Sequence, residues 1–191
     1  MGRNNSRKVN SMVDDKQLIR SCLQGEKEEF RKLVEKYWGK TIAMAINVLG
    51  NREDAEDVCQ EAFLQVYSHL AEFDFKMNFQ KWLYSILYKR CLDNLRKRRR
   101  LINFFNKLKK EKKSLLRFKV NVNSASSSLF LTHRILKKLS PKERTALFLW
   151  AREGFTSSEI GAVLKCSAPT ARVHLFKARK KIKAALEREN A

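Results

Sequence analysis

The chain has 191 residues, 43% of them hydrophobic, and a formal net charge of +21 at pH 7. This composition is ample for one or two small helical domains and favours polyanionic partners. Six glycines and two prolines, with few alternating β-branched stretches, argue against a sheet. We therefore predict an all-α fold of two small helical domains joined by a flexible basic linker.

The N-terminal part of the chain predicts a tail followed by a helical domain. Residues 1–13 are polar and basic and lack a long apolar segment, which predicts a flexible tail rather than a signal peptide. No stretch is long enough to span a membrane, and we expect a cytoplasmic protein. Residues 14–100 carry apolar side chains at helical spacing, interrupted at Gly50 and Asn51, and form the predicted first domain.

Charge changes sign abruptly within this domain. Arg52–Asp74 contains seven acidic residues and one basic residue, whereas Lys76–Lys119 contains sixteen basic and two acidic residues. This adjacency predicts two partners of opposite sign: a basic protein surface for the acidic helix and nucleic acid for the segment that follows. The apolar stripe of the acidic helix leaves five residues on its exposed side: Asp54, Asp57, Gln60, Glu61 and Leu64.

An aromatic loop, Phe73–Phe79, precedes the next helix. Its phenylalanines suit stacking on an unpaired base, worth about 1 to 3 kcal/mol per base, and its Asn and Lys side chains suit hydrogen bonding to that base. The alternative is that these rings belong to the hydrophobic core, which we favour for Phe79. The following helix ends in the basic run Arg96–Arg100, and its predicted exposed side includes Lys81, Tyr84, Ser85, Tyr88, Lys89 and Asn94.

The second domain, 129–191, carries the spacing of a helix-turn-helix. Ser140 with Glu143, and Thr156 with Glu159, each form a predicted capping box that starts a helix. A basic helix alone is more often a solvated surface, but the two boxes and a tight turn before the third helix favour DNA reading. The predicted base readers are Thr170, Arg172, Val173, Phe176 and Lys177, and the later cations Arg179, Lys180 and Lys183 are expected at phosphates.

The segment between the domains, 101–128, is rich in lysine, poor in periodicity and ends in an Asn- and Ser-rich stretch. This composition is typical of a flexible linker. We therefore place the join between the two domains in these residues.

Three segments together resemble bacterial sigma factors of the extracytoplasmic-function type: DAEDVCQEAFLQVYSHL (Asp54–Leu70), FQKWLYSILYKRCLDNLRKRRR (Phe79–Arg100) and the helix-turn-helix. The likeness extends roughly from Leu18 to Leu186, apart from the linker. It implies a region 2-like and a region 4-like domain that bind core RNA polymerase, through its beta and beta-prime subunits, and direct it to promoters. It also implies help in promoter melting, no cofactor and, as in many family members, control by an anti-sigma factor or another regulatory protein.

The resemblance assigns roles to matching positions. The acidic helix would dock on the coiled coil of the largest polymerase subunit through Asp54, Asp57, Gln60, Glu61 and Leu64. The aromatic loop and the helix after it would recognise and open the minus-ten element through Phe73, Asp74, Lys76, Asn78, Lys81, Ser85, Tyr88, Lys89 and Arg96. The minus-thirty-five element would be read by Pro169, Thr170, Arg172, Val173, Phe176, Lys177, Arg179 and Lys180. The linker would thread through the polymerase, where Lys107–Lys119 would either track template DNA or remain disordered.

The chain departs from the family pattern at several reading positions. Pro169-Thr170-Ala171-Arg172-Val173 stands where the family often has Gly-Thr-Val-Lys/Arg-Ser, and Gly161 stands where alanine is frequent. Tyr88 and Lys89 replace a frequent arginine and asparagine. The promoter sequence therefore cannot be copied from relatives.

Two other classes of function compete with this one. A stand-alone helix-turn-helix regulator would use the same second domain, but it would leave the acidic helix and the aromatic loop without a purpose. A metal-dependent nuclease could hold Mg²⁺ with Asp54, Glu56 and Asp57, but an acidic cluster at a helix start is more often a cap or a docking face. The three histidines are scattered and the four cysteines form no CxxC pair, so we expect no catalytic residue, no metal and reduced thiols.

Overall fold

The computed structural model describes residues 14–111 and 138–188, and all regular secondary structure in these residues is helical. The all-α prediction is confirmed, whereas the predicted tail and most of the linker lie outside the described residues. Among the helices described, none is both long enough and apolar enough to cross a bilayer. The elements are α1 (Asp15–Leu23), α2 (Glu28–Leu49), α3 (Arg52–Ser68), a 3₁₀ turn (Leu70–Glu72), α4 (Phe79–Glu111), α5 (Pro141–Glu153), α6 (Ser157–Leu164) and α7 (Ala168–Glu187).

The first domain consists of α1–α4, whose boundaries follow from local chemistry. Gly50 ends α2 in the left-handed conformation, at a φ of 83°, which costs glycine little. Asn51 then caps α3, because its Oδ1 accepts a hydrogen bond from the Asp54 backbone N–H at 2.8 Å. The apolar faces of α2, α3 and α4 meet in one core, whose fully buried members include Leu33, Met44, Val48, Cys59, Val66, Leu83 and Leu87.

The helix α4 is longer than the sequence predicted. It begins at Phe79 and continues to Glu111, so the helix end implied by a domain boundary at residue 100 is not observed. Residues 101–111 contain no glycine or proline, and Leu101, Phe104 and Phe105 fall at helical spacing, so nothing there ends a helix. These three side chains are exposed, because the extension makes little contact with the rest of the domain.

The second domain has the predicted helix-turn-helix order, α5–α7. Both capping boxes are present, with Ser140 at the start of α5 and Thr156 at the start of α6. Ser167 caps α7, and Pro169 lies in the first turn of that helix, where its missing N–H is tolerated. The domain also touches the first one, because α5 packs against α2 and α6 packs against α4.

The turn between α6 and α7 brings two backbone segments very close together. Lys165 adopts a positive φ of 51° there, and a Cβ at position 161 would lie 2.6 Å from the carbonyl oxygen of Cys166. Only glycine fits this approach without a shift of the backbone. This close approach accounts for the glycine at position 161.

Candidate polymerase and nucleic-acid interfaces

The helix α3 presents an acidic strip to solvent. Asp57, Gln60 and Glu61 are exposed, while Ala55, Cys59, Ala62 and Val66 on the opposite face are completely buried. Leu64 lies within the acidic strip and is 69% exposed, although it is a large apolar side chain. An exposed leucine one turn after Glu61 on a well-packed helix is suited to contact another protein, because it gains from burial while the carboxylates find cationic partners.

Asp54 is positioned differently from the rest of the predicted docking set. Its carboxylate accepts a hydrogen bond from the Asn51 amide at 2.7 Å and pairs with the Arg98 guanidinium at 2.6 Å. Its backbone N–H is also capped by Asn51. Asp54 therefore fixes the start of α3 and ties it to α4, and its carboxylate is less available to a partner than those of Asp57 and Glu61.

The aromatic loop buries one of its predicted base-stacking residues. Phe73 was expected to be available for an unstacked base, but it is buried and packs on Phe75, Phe79 and Trp82 with ring centroids 5.4, 6.0 and 5.1 Å away. The expected exposure of Phe73 is therefore wrong, because an aromatic cluster recruits its ring into the core. The core position that we favoured for Phe79 is confirmed.

Polar residues of this loop are exposed and held in place by backbone contacts. The Asp74 carboxylate accepts from the Lys76 N–H at 2.8 Å, and Asn78 Oδ1 accepts from the Lys81 N–H at 3.2 Å. Phe75, which the sequence did not single out, is only half-buried, and the Arg20 guanidinium lies 5.3 Å from its ring centroid. The loop thus offers fixed polar groups beside a partly accessible ring.

The predicted reading face of α4 is only partly exposed. Lys89 and Arg96 are exposed and Lys81 and Ser85 are half-buried, but Tyr88 is only 3% exposed. The expected exposure of Tyr84 and of Tyr88 is wrong, because both side chains are buried where the second domain lies over α4. Burial raises the pKa of the Tyr88 hydroxyl to about 12.

The helix α7 turns its entire predicted reading set outward. Its buried side is formed by small residues, Ala171 and Ala178, which let α7 pack closely on α5 and α6. Phe176 is 67% exposed, an unusual position for a large aromatic ring in a small domain. The exposed members of the set are Pro169, Thr170, Arg172, Val173, Phe176, Lys177, Arg179 and Lys180.

One exposed aromatic residue beside α7 was not predicted from the sequence. Trp150 on α5 is exposed, and the Arg179 guanidinium lies 5.3 Å from its ring centroid. This cation–π contact holds Arg179 in one orientation at the edge of an open groove lined also by Phe176. Trp150 follows the core residue Leu149 directly, so the sequence offered no periodic signal that separated it from the core.

The thiols and acids of the described residues form no reactive cluster. No three His, Cys, Asp or Glu side chains within 14–107 and 138–188 lie close enough together to hold a metal ion. Burial raises the pKa of the Cys59 thiol to about 12 and also raises that of Cys91. Both groups are therefore protonated thiols at neutral pH, in keeping with a structural role in the core.

The described residues thus form a two-domain helical protein with an exposed acidic strip on α3 and basic residues exposed on α4 and α7. Family models match both domains: Sigma-70 region 2 over residues 33–101 and Sigma-70, region 4 over residues 129–182. Together the two matches cover more than half of the chain, which belongs to the sigma-70 family.

Curated relatives agree with that family, and a solved structure shares the fold. It is 28% identical over 189 residues to the RNA polymerase sigma-H factor of Pseudomonas aeruginosa, covering 91% of this chain and 94% of that one. It is also 28% identical over 149 residues to the ECF RNA polymerase sigma factor EcfG of Rhodopseudomonas palustris. That match covers 75% of this chain and 77% of the relative. The sigma factor RpoE, solved in complex with the anti-sigma factor NepR from Bartonella quintana, matches with a TM-score of 0.68 at 21% identity over 84% of this chain and 98% of that chain. The protein is an extracytoplasmic-function sigma factor, which directs RNA polymerase to promoters.

Proposed function

We propose that this sigma factor divides its work among three surfaces, each formed by a different helix. The first binds core RNA polymerase, the second recognises and opens the minus-ten element, and the third reads the minus-thirty-five element. The protein acts through binding alone and contributes no chemistry of its own. The observation that carries this proposal is the separation of an exposed acidic strip on α3 from an exposed basic and aromatic face on α7.

The acidic strip of α3 is the polymerase-docking surface. Asp57, Gln60 and Glu61 supply charge and hydrogen bonds, and Leu64 supplies an apolar contact at the C-terminal end of the strip. Asp54 contributes indirectly, because its contacts with Asn51 and Arg98 hold the start of α3 in place. Such a strip meets a basic partner surface without competing with DNA, because its charge repels phosphates.

The minus-ten element is bound by the aromatic loop and the exposed part of α4. The loop offers Asp74, Lys76 and Asn78 to a flipped base, while the ring of Phe73 keeps the loop in shape from inside the core. Lys81, Ser85, Lys89 and Arg96 continue the surface along α4, whereas the buried Tyr88 is not part of it. Lys89 and Arg96 are the phosphate contacts of this set, because their charges are exposed to solvent.

The minus-thirty-five element is read by α7 in the major groove. Arg172 and Lys177 are placed to donate to base edges, and Val173 and Phe176 are placed to contact apolar groups such as the thymine methyl. Pro169 and Thr170 lie at the N-terminus of the helix, where base edges are approached. Arg179 and Lys180, nearly three turns further along α7, are expected at phosphates.

In-vitro transcription with cognate core polymerase tests this division of labour. Sequencing of the start sites selected by the holoenzyme first identifies the promoter. The Asp57→Ala/Glu61→Ala double variant should weaken holoenzyme assembly, and Glu28→Ala/Glu35→Ala on exposed positions of α2 is its matched control. Arg172→Ala and Lys177→Ala should weaken promoter binding and leave assembly intact. Equal effects of all four substitutions on both steps would refute the proposal.

A stand-alone DNA-binding regulator is the competing function, and the fully exposed reading face of α7 is the observation that favours it. Purified protein that binds the duplex promoter tightly without polymerase would support it. We also propose an anti-sigma factor as a regulatory partner, because the structurally similar RpoE was solved with one. Co-purification from the native cell tests for such a partner.

A further inference from the structure

Trp150 is an exposed tryptophan on α5, outside the two helices of the helix-turn-helix. Its side chain is 46% exposed, whereas Ala146 and Leu149 on the same helix are completely buried. Tryptophan is on average a highly buried residue, because its indole ring is large and mostly apolar. The three surfaces proposed above do not include Trp150, and its exposure is therefore unexplained by them.

The ring of Trp150 forms one wall of an open groove beside α7. Phe176 supplies a second aromatic ring to this groove, and Ser157 at the start of α6 lines it as well. The described residues that line it include no acid, and its cations are Arg172, Arg179, Lys180 and Lys183. A DNA strand suits a groove of this composition, because it combines charged phosphates with apolar faces of the deoxyribose rings.

Two cations of α7 are held in place by different kinds of partner. The Arg179 guanidinium lies 5.3 Å from the centroid of the Trp150 ring. Lys181 instead pairs with a carboxylate, since its Nζ lies 2.7 Å from Glu143 Oε2. An ion pair neutralises the cation, whereas an aromatic ring orients a guanidinium and leaves its charge and its N–H donors available to an anion.

The oriented arginine lies beside the proposed base readers. Arg172, Phe176, Arg179 and Lys183 follow one another at intervals of three or four residues, so they share one flank of α7. A mobile arginine side chain loses conformational entropy when it binds, and one that is already oriented loses less. Trp150 therefore prepares Arg179 for a phosphate next to the bases that this flank of α7 approaches.

We propose that Trp150 is a positioning residue for promoter binding, which holds Arg179 on a phosphate of the minus-thirty-five duplex and makes α5 a third helix of the DNA-binding surface. One strand of the duplex lies in the groove, with a deoxyribose against the exposed part of the indole ring. This inference rests on the proposed reading of the minus-thirty-five element by α7. It adds to that reading a residue from outside the helix-turn-helix.

Nuclear magnetic resonance of the full, free chain tests the contact itself. The chain has three tryptophans, and the indole N–H signal that is absent from Trp150→Phe belongs to Trp150. Arg179→Ala should shift this signal and leave the other two indole signals in place. Arg152→Ala is the matched control, because the Arg152 guanidinium lies 5.7 Å from the Phe148 ring centroid and does not line the groove. A Trp150 signal that responds equally to both substitutions overturns the positioning of Arg179.

A double-mutant cycle tests what the contact does for promoter binding. Holoenzyme assembled with each variant is titrated with a mapped promoter whose minus-thirty-five element is either intact or scrambled. We expect Trp150→Leu to weaken binding to the intact promoter about fivefold, and Trp150→Phe to keep most of the affinity, because a phenylalanine ring also holds a guanidinium. In the Arg179→Ala background, Trp150→Leu should cause no further loss, since its effect acts through Arg179.

A purely structural role of Trp150 gives a different result. Lost packing would lower the melting temperature of Trp150→Leu and weaken promoter binding to the same extent with and without the Arg179 side chain. Equal losses in the two backgrounds therefore overturn the proposal, and so does an unchanged affinity of Trp150→Leu. Failure of the proposed function is distinguishable: the wild-type holoenzyme then binds the intact and scrambled promoters equally, while the Trp150 signal of the free chain still shifts in Arg179→Ala.

Discussion

The helices α4 and α7 are both basic and amphipathic, yet their proposed DNA-reading faces differ in exposure. On α7, Phe176 is 67% exposed and every predicted reader faces solvent, whereas on α4, Tyr88 is 3% exposed. The helical spacing that predicts an outward side chain is equally good in both cases. The comparison teaches that spacing decides which residues share a face, while packing between domains decides whether that face is open.

The residue types involved explain part of this difference. A tyrosine buries a large apolar ring with one polar tip, so Tyr84 and Tyr88 suit a covered face and an exposed one almost equally. The α7 face is instead dominated by arginine and lysine, which are almost never fully buried without partners. The face of α7 therefore stays open, and that of α4 can be covered.

The largest effect should come from removing two readers of α7 together. We expect Arg172→Ala/Phe176→Ala to lower affinity for the minus-thirty-five duplex, since a bidentate arginine contact alone is worth about 1–3 kcal/mol. Anisotropy with duplex DNA measures the loss, and Arg31→Ala, at an exposed position of α2 outside the proposed DNA surfaces, is the control. An unchanged affinity would mean that the open face of α7 is not the reading surface.

The next effect tests the tight turn that orients α7. We expect Gly161→Ala to destabilise the second domain by about 1–3 kcal/mol, because the added Cβ forces the backbone at Cys166 to move. Thermal unfolding measures this loss, and Ala162→Gly on the exposed side of α6 separates the steric effect from helix propensity. A variant as stable as the wild type would show that the turn adapts freely.

A smaller effect should appear in the salt dependence of binding. Lys180→Ala on α7 should reduce the slope of log affinity against log salt by about 0.9 for duplex promoter DNA, the value for one lost phosphate contact. Lys89→Ala on α4 should leave that duplex slope unchanged in the free chain, since it belongs to the minus-ten surface. Similar slope changes for both lysines would remove the distinction between the two helices.

The smallest effect should appear in the pH dependence of stability, through the Glu159 carboxylate. Its hydrogen bonds from Lys81 and from the Thr156 backbone hold its pKa at about 2, below the ordinary 4.5. A depressed carboxyl pKa stabilises the fold above the ordinary value, and this contribution is lost as the pH falls from about 4.5 to about 2. The melting temperature of the wild type should therefore exceed that of Glu159→Gln equally at pH 7 and pH 5. A difference in melting temperature that is already smaller at pH 5 than at pH 7 would contradict the low pKa of Glu159.

Local chemistry made much of the second domain predictable. The capping boxes of Ser140 and Thr156 and the start of α7 at Ser167 depend on residues no more than three positions apart, so the sequence contains all the partners. The exposure of the α7 readers followed from one apolar stripe that fills a small domain. Trp150 was missed because its cation–π partner, Arg179, is distant in sequence.

The first domain was predictable in its helices and less so in its surfaces. Phe73 packs in an aromatic cluster with Trp82, and α4 continues past residue 100 because residues 101–111 contain neither glycine nor proline. Asp54 gained a partner on another helix, Arg98, that no spacing rule connects with it. Each difference arose from contacts between residues far apart along the chain.

The sequence by itself determined the helical class, the order of the two domains, the acidic strip and the basic reading faces, because each depends on periodicity and charge within one helix. Only the tertiary structure decided which of those faces is open. The contact of Lys81 with Glu159, and of Tyr84 with Phe155, joins residues more than 70 positions apart. Burial is a property of the whole packed chain, and for that reason the covered face of α4 became visible only in three dimensions.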